Sequence, residues 1–245
     1  MLRALCIFAA AAAASACKPC TCGAARGARV VGGDALSPGE FPWLAALLRD
    51  DKVICGATVV AKDHLLTATH CVHEIEVSRL TVLHPDFKRY NYDNDIAVLR
   101  LAEPLPDNLF RPACLPDDEY RLSGANAIVS GWGSTSEKGP ASHIPIKAEI
   151  QIWSEEECAG AGYGRAKVTP NMLCANAPGR DSCTGDSGGP LVVANPYFTL
   201  VGIVSWGRGC ARQGYPGVYV RVDRFLPWLK VALRHACTCS PPLFP

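Results

Sequence analysis

Gly185-Asp186-Ser187-Gly188-Gly189-Pro190, preceded by Asp181-Ser182-Cys183-Thr184, is the stretch on which the reading of this chain turns. A serine between glycines is little shielded, and glycines let backbone N–H groups approach a reacting carbonyl closely. Taken alone, Gly-Asp-Ser-Gly also reads as an ordinary turn. Two other segments change that. Leu65-Leu66-Thr67-Ala68-Thr69-His70-Cys71 sets a histidine at the end of a strand beside a cysteine, and Asp93-Asn94-Asp95-Ile96-Ala97-Val98-Leu99 sets an aspartate just before another strand.

Outward from these segments, short apolar runs at 52–55, 57–61, 97–101, 127–129, 191–194, 200–206 and 217–222 alternate with Gly, Pro, Asn and Asp. The pattern predicts an all-β architecture of antiparallel strands. Near the end, Phe225, Trp228, Leu229, Ala232 and Leu233 recur at helical spacing between Arg224, Lys230 and Arg234, which predicts one helix docked on the body.

The 245 residues are 49% apolar and 19% charged, enough to bury a real core. Lys plus Arg at 24 against Asp plus Glu at 23 gives no basic field for nucleic acid or an anionic membrane. Residues 1–16 carry Arg3, an apolar run from Ala4 to Ala14, and the small-residue site Ala14-Ser15-Ala16. They read as a secretory signal peptide, so the protein is expected to be secreted and extracellular. The apolar run is shorter than the roughly 20 residues of a membrane span, and none is expected. Removing residues 1–16 takes Cys6 from the 13 cysteines and leaves an even number, which in an exported chain implies disulfides. Residues 17–29 read as a cysteine-containing propeptide and 237–245 as a C-terminal tail.

Further landmarks follow in order: Val30-Val31-Gly32-Gly33, Gly131-Trp132-Gly133, Ser205-Trp206-Gly207 and Gly214-Tyr215-Pro216-Gly217-Val218-Tyr219. With these, the sequence from Val30 to about Leu233 resembles the trypsin-like (chymotrypsin-fold) serine proteases. The resemblance implies a protease domain over 30–236, built of two packed six-stranded antiparallel β-barrels with a C-terminal helix and the site in the cleft between them. It implies Ser187 as nucleophile, His70 as general base and acid, and Asp95 as the group that fixes the imidazole. The N–H groups of Gly185 and Ser187 would form the oxyanion hole. Asp181 would floor a pocket for Arg or Lys, with Ser205, Gly207 and Gly217 lining it. Arg208 is a candidate for contact near the pocket rim. His64, His73, His84, His143 and His235 stand outside these motifs and read as surface or structural.

The same resemblance implies a zymogen. A cut after Arg29 would free the Val30 ammonium to pair with Asp186, and because the cut follows arginine the activator would itself be trypsin-like. The implied partners are protein or peptide substrates, that activating protease and protein protease inhibitors, with a monomeric enzyme and no cofactor or metal. The implied disulfides are Cys55 with Cys71, Cys158 with Cys174, Cys183 with Cys210, and Cys114 with the leader's Cys22. Cys17, Cys20, Cys237 and Cys239 remain, and four cysteines allow three pairings. Zinc is a further use for such a quartet, although an oxidising compartment favours disulfides.

One departure stands out. Asp95 lies 25 positions after His70, whereas in the family about 45 residues separate the two groups. About twenty residues are therefore missing, including a strand of the first barrel and the loop where some relatives bind calcium. Losing a strand forces the barrel to re-pair or to expose an edge, and either can shift Asp95 relative to His70. Besides an active endopeptidase, two readings stay open here: an impaired homologue acting as a binding or regulatory protein, and a truncated isoform.

Overall fold

The computed structural model describes residues 17, 19–25, 35–75, 81–117, 122–134, 136–137, 139–164, 166–178, 182 and 185–242. The signal segment 1–16, the Arg29–Val30 bond, Asp181 and Cys183 lie outside them. Eleven strands and two short helices are found there. The first sheet takes β1 (Leu44–Arg49), β2 (Lys52–Ala61), β3 (His64–Thr67), β4 (Thr81–Leu83) and β5 (Ala97–Arg100) in the order β1-β2-β3-β5-β4. The second is a closed barrel of β6 (Asn126–Gly131), β7 (Ile146–Ile152), β8 (Met172–Asn176), β9 (Pro190–Ala194), β10 (Phe198–Trp206) and β11 (Gly217–Arg221). This is the chymotrypsin fold with five strands in its first sheet. The shortening between His70 and Asp95 falls where the sheet ends in β1 and β4, and these edges leave Leu48, Val82 and Leu83 exposed.

The apolar runs at 52–55 and 57–61 merge into one strand, because Gly56 keeps its extended backbone between them. Strands β1 and β8 are further apolar runs and β7 alternates apolar with polar residues, signals the sequence reading passed over, whereas the short β3 and β4 emerge from their pairing. The helix α1 (Glu155–Ala159) starts at a capping box: Ser154 Oγ accepts from the Glu157 N–H while the Glu157 carboxylate accepts from the Ser154 N–H. The C-terminal helix α2 (Leu226–Ala232) follows a 3-10 turn over Val222–Phe225 and buries Leu229.

Two apolar clusters hold the sheets. One joins Trp43, Leu66, Ile96 and Val98 of the first half to Phe198, Leu200, Ile203 and Leu229 of the second. Its centre is the ring trio Phe41, Trp43 and Phe198, with centroids 5.2 to 5.4 Å apart. The other, including Val129, Ile150, Leu173, Leu191, Val201 and Tyr219, fills the closed barrel. His84 braces the segment after β4 against α2, its ring 5.3 Å from Phe225 and 5.0 Å from Trp228. Burial holds the His84 imidazole below its ordinary pKa despite the charges of Asp86 and Asp93.

Five disulfides are complete among the described residues: Cys17–Cys237, Cys20–Cys239, Cys22–Cys114, Cys55–Cys71 and Cys158–Cys174. Cys210 is also disulfide-bonded. The quartet left open by the sequence thus pairs leader with tail, and Thr21 and Ser240 form a parallel bridge just beyond Cys20–Cys239. Cutting the backbone after Arg29 is therefore expected to leave the leader attached. Intact-mass measurement should detect a separate leader fragment only after reduction; its release without reductant would contradict these pairings.

Candidate active site

β3 and β5 are antiparallel neighbours, with Thr67 opposite Ala97 and Leu66 opposite Val98. The chain runs from the end of β3 into a 3-10 turn over Thr69–Cys71, and it enters β5 from Asp95. One register thus brings His70 and Asp95 to the same end of the sheet. Thr69 Oγ1 donates to the Ile96 carbonyl at 2.7 Å and ties the two segments directly. Asp95 is fully buried and accepts three hydrogen bonds: from the His70 N–H at 2.8 Å, from His70 Nδ1 at 2.7 Å and from Ser205 Oγ at 2.6 Å. The shift of Asp95 that the missing residues threatened has not occurred. Ser205, a residue expected to line the substrate pocket, gives its hydroxyl to Asp95.

Ser187 is set by its backbone. Its carbonyl accepts from the Gly56 N–H at 2.7 Å, and Gly56 adjoins Cys55, whose bridge to Cys71 reaches the residue after His70. That disulfide closes a loop of roughly 15 residues and is worth about 3 kcal/mol by loop entropy. Gly188 follows with φ of +77°, and a Cβ there would come 2.3 Å from Thr67 Oγ1, so only glycine makes this turn. The N–H groups of Gly185 and Ser187 donate to no protein acceptor among the described residues. No hydrogen bond joins Ser187 Oγ to His70; Cys71 Sγ lies 3.8 Å from His70 Nε2.

Asp186 is buried, and its Oδ1 accepts from the Gly133 N–H at 2.8 Å. Cβ atoms on Gly131 or Gly133 would lie 2.3 Å from its carboxylate oxygens, which is why Gly-Trp-Gly is needed there. Around the expected pocket, Tyr219 is buried and donates to Ser182 Oγ at 3.0 Å. A Cβ on Gly207 would meet nothing closer than 3.8 Å, with the Gly217 Cα at 3.9 Å. Among the described residues no packing demand keeps Gly207 small.

The family model for trypsin matches residues 30–229. The chain belongs to the trypsin family. It is 36% identical over 236 residues to Trypsin-1 of Astacus astacus, covering 82% of this chain and 98% of that protein. It is 38% identical over 234 residues to transmembrane protease serine 9 of Rattus norvegicus, covering 84% of this chain but only 22% of that longer relative. Among solved structures, mouse neuropsin, a serine protease, superimposes with a TM-score of 0.74 at 31% identity, covering 82% of this chain and 98% of its own. Trypsin-family proteases rich in disulfides are typically extracellular, and transmembrane relatives also exist. No helix among the described residues is long and apolar enough to cross a membrane.

In this trypsin-family site the sequence reading missed Asp93. Its side chain joins the two halves: Oδ1 accepts from Thr169 Oγ1 at 2.8 Å and Asn171 Nδ2 at 3.0 Å, and Oδ2 from Lys88 Nζ at 3.3 Å. Tyr92 and Asn94 on either side have positive φ, so the loop that presents Asp95 is tightly wound around this anchor. The only signal in the sequence was a second aspartate beside the recognised one. Burial, the largest single influence, pushes the Asp93 carboxyl up. The hydrogen bonds from Asn171, Thr169 and Lys88, with the Lys88 charge, outweigh it and leave the group below its ordinary value. A lowered folded value means stability that is present above the unfolded value near pH 4 and is lost as pH falls through the folded one. Asp93→Asn is expected to destabilise by about 1–3 kcal/mol at pH 7. Thermal melts should find the gap closing as pH drops below about 4; a gap that does not change with pH would contradict an ionic anchor.

Proposed function

We propose that the chain is a secreted serine endopeptidase zymogen that, once cut after Arg29, hydrolyses peptide bonds after Arg or Lys. The supporting observation is the buried Asp95 carboxylate held by His70 N, His70 Nδ1 and Ser205 Oγ. With Nδ1 donating to Asp95, the lone pair of the neutral ring sits on Nε2, where a base is needed. Ser187 Oγ attacks the substrate carbonyl carbon and passes its proton to His70 Nε2. The resulting oxyanion takes the N–H groups of Gly185 and Ser187, and losing one such donor typically costs about 3 to 4 kcal/mol. His70 returns the proton to the leaving amine, and water then releases the acyl group by the same proton path in reverse.

Asp181 supplies the carboxylate for a basic side chain, and the unobstructed space at Gly207 favours a long one. Activation follows from Asp186. Its buried carboxylate would take the new Val30 ammonium as an ion-pair partner. That pairing holds the adjoining Gly185–Ser187 loop in its working shape. A second reading, a binding or regulatory protein on the same scaffold, is favoured by the missing hydrogen bond between Ser187 and His70. Loose contacts of this kind are also common before substrate arrives.

After cleavage at Arg29, a fluorophosphonate probe is expected to label the wild type on Ser187 and to spare Ser187→Ala. A cut wild type that does not react selects the scaffold reading. Fluorogenic peptides ending in Arg or Lys should turn over faster than those ending in Phe or Leu, and the reverse order would remove Asp181 from its role. Arg29→Gln should be exported but inactive.

A further inference from the structure

We propose that Lys167 and Arg208 form a cationic shelf beside His70 that selects substrates carrying acidic residues just upstream of the cleaved bond. The inference rests on the endopeptidase reading above and adds a second specificity to it.

The Lys167 ammonium lies 5.3 Å from the Trp206 ring centroid and 5.9 Å from that of Tyr92, and it donates to the Tyr90 carbonyl at 2.9 Å. Both rings border the catalytic residues. Tyr92 meets His70 edge-on at 5.4 Å, and Trp206 directly follows the Ser205 that holds Asp95. An ammonium thus bridges the two aromatic walls of the groove that leads away from His70. Beyond Trp206, the Arg208 guanidinium stacks on Tyr215 at 4.8 Å and donates to its hydroxyl at 3.1 Å. β10 last pairs with β9 at Ile203, so the edge running on through Ser205, Trp206 and Gly207 is open to an extended peptide.

The charge balance makes this shelf distinct. Lys88 is matched by Asp93, Arg89 by Glu74 and Arg212 by Glu137. Lys167 and Arg208 have no carboxylate partner among the described residues. Stacking on aromatic faces partly desolvates a cation without neutralising it, so a carboxylate brought by the substrate gains more there than in open water. An aromatic or aliphatic side chain at the same place would have to displace the ammonium from between the rings. A basic one would be repelled. Tyr90, Tyr163, Gly164, Ala166 and Lys167 line a shallow cavity of about 350 Å³, room for an aspartate or glutamate side chain.

The test uses the chain cut after Arg29 and four-residue fluorogenic peptides ending in arginine, with Asp, Ala or Lys at the three upstream positions. At low salt the Asp peptides are expected to exceed the Ala peptides by about tenfold in kcat/KM, and the Lys peptides to fall below both. The Asp advantage should shrink towards one as ionic strength rises to about 1 M, where screening acts within about 3 Å. Lys167→Met keeps the aliphatic stem against Trp206 and should reduce the Asp-to-Ala ratio, Lys167→Met with Arg208→Ala should bring it to about one, and Lys167→Glu with Arg208→Ala should invert the order. Equal turnover of Asp and Ala peptides by the wild type, or an Asp advantage that survives in the Lys167→Met, Arg208→Ala double variant, overturns the shelf and leaves the endopeptidase reading standing. Anisotropy binding of the labelled peptides to Ser187→Ala separates the two claims. Tighter binding of the Asp peptide, with no turnover by the cut wild type, would uphold the shelf and sink the endopeptidase; equal binding would sink the shelf.

Discussion

Strands β3 and β5 run antiparallel with Thr67 opposite Ala97, so the chain leaves one towards His70 at the same end of the sheet where it enters the other from Asp95. An antiparallel pair has this property whatever the length of chain that joins its strands. The segment between the two residues can therefore lose a strand without parting them. Among the described residues the sheet is left open at its two opposite edges, β4, which pairs only with β5, and β1, which pairs only with β2. Edge exposure and catalytic geometry are uncoupled because His70 and Asp95 stand at the end of the β3–β5 ladder, whereas the open edges run along β1 and β4.

The rest of the site is built inward from that ladder. Ser205 at the end of β10 reaches Asp95 from the closed barrel, the Gly56 N–H holds Ser187 from the open sheet, and Asp93 reaches Thr169 and Asn171 across the junction. Each half contributes groups that are meaningless without the other. The shared apolar cluster around Phe41, Trp43 and Phe198 keeps the two halves from sliding, so hydrogen bonds under 3 Å persist between residues far apart in sequence.

What the sequence made legible was whatever depends on local chemistry. Ser187 between glycines, His70 after an apolar strand and Asp95 before one announce themselves, because turn geometry and strand ends need particular residue types. The strand signals of β7, which alternates Ile146, Ala148, Ile150 and Ile152 with polar residues, and of β8, which opens with four apolar residues, were present but not read; what was out of reach is which strands they pair with, β6 and β11 among them. The pairing of Cys17 and Cys20 with Cys237 and Cys239 was likewise out of reach: loop closure over such distances depends on where the fold brings both ends. Ser205 was read as a pocket residue, with Gly207 and Gly217, from the family resemblance alone. Only the packed arrangement reveals that its hydroxyl turns to Asp95.

The leader and the tail meet in one small patch, bonded by Cys17–Cys237 and Cys20–Cys239 across sequence separations of 220 and 219. Mechanically, this takes both sheets out of the load path. Tension applied between the leader and the tail passes through two covalent bridges before it reaches a single strand, so the molecule resists pulling from its ends with bond strength rather than with hydrogen bonds. Heat acts on the same feature differently: neither end can fray alone, and opening of the sheets has to begin at interior edges such as β1 and β4.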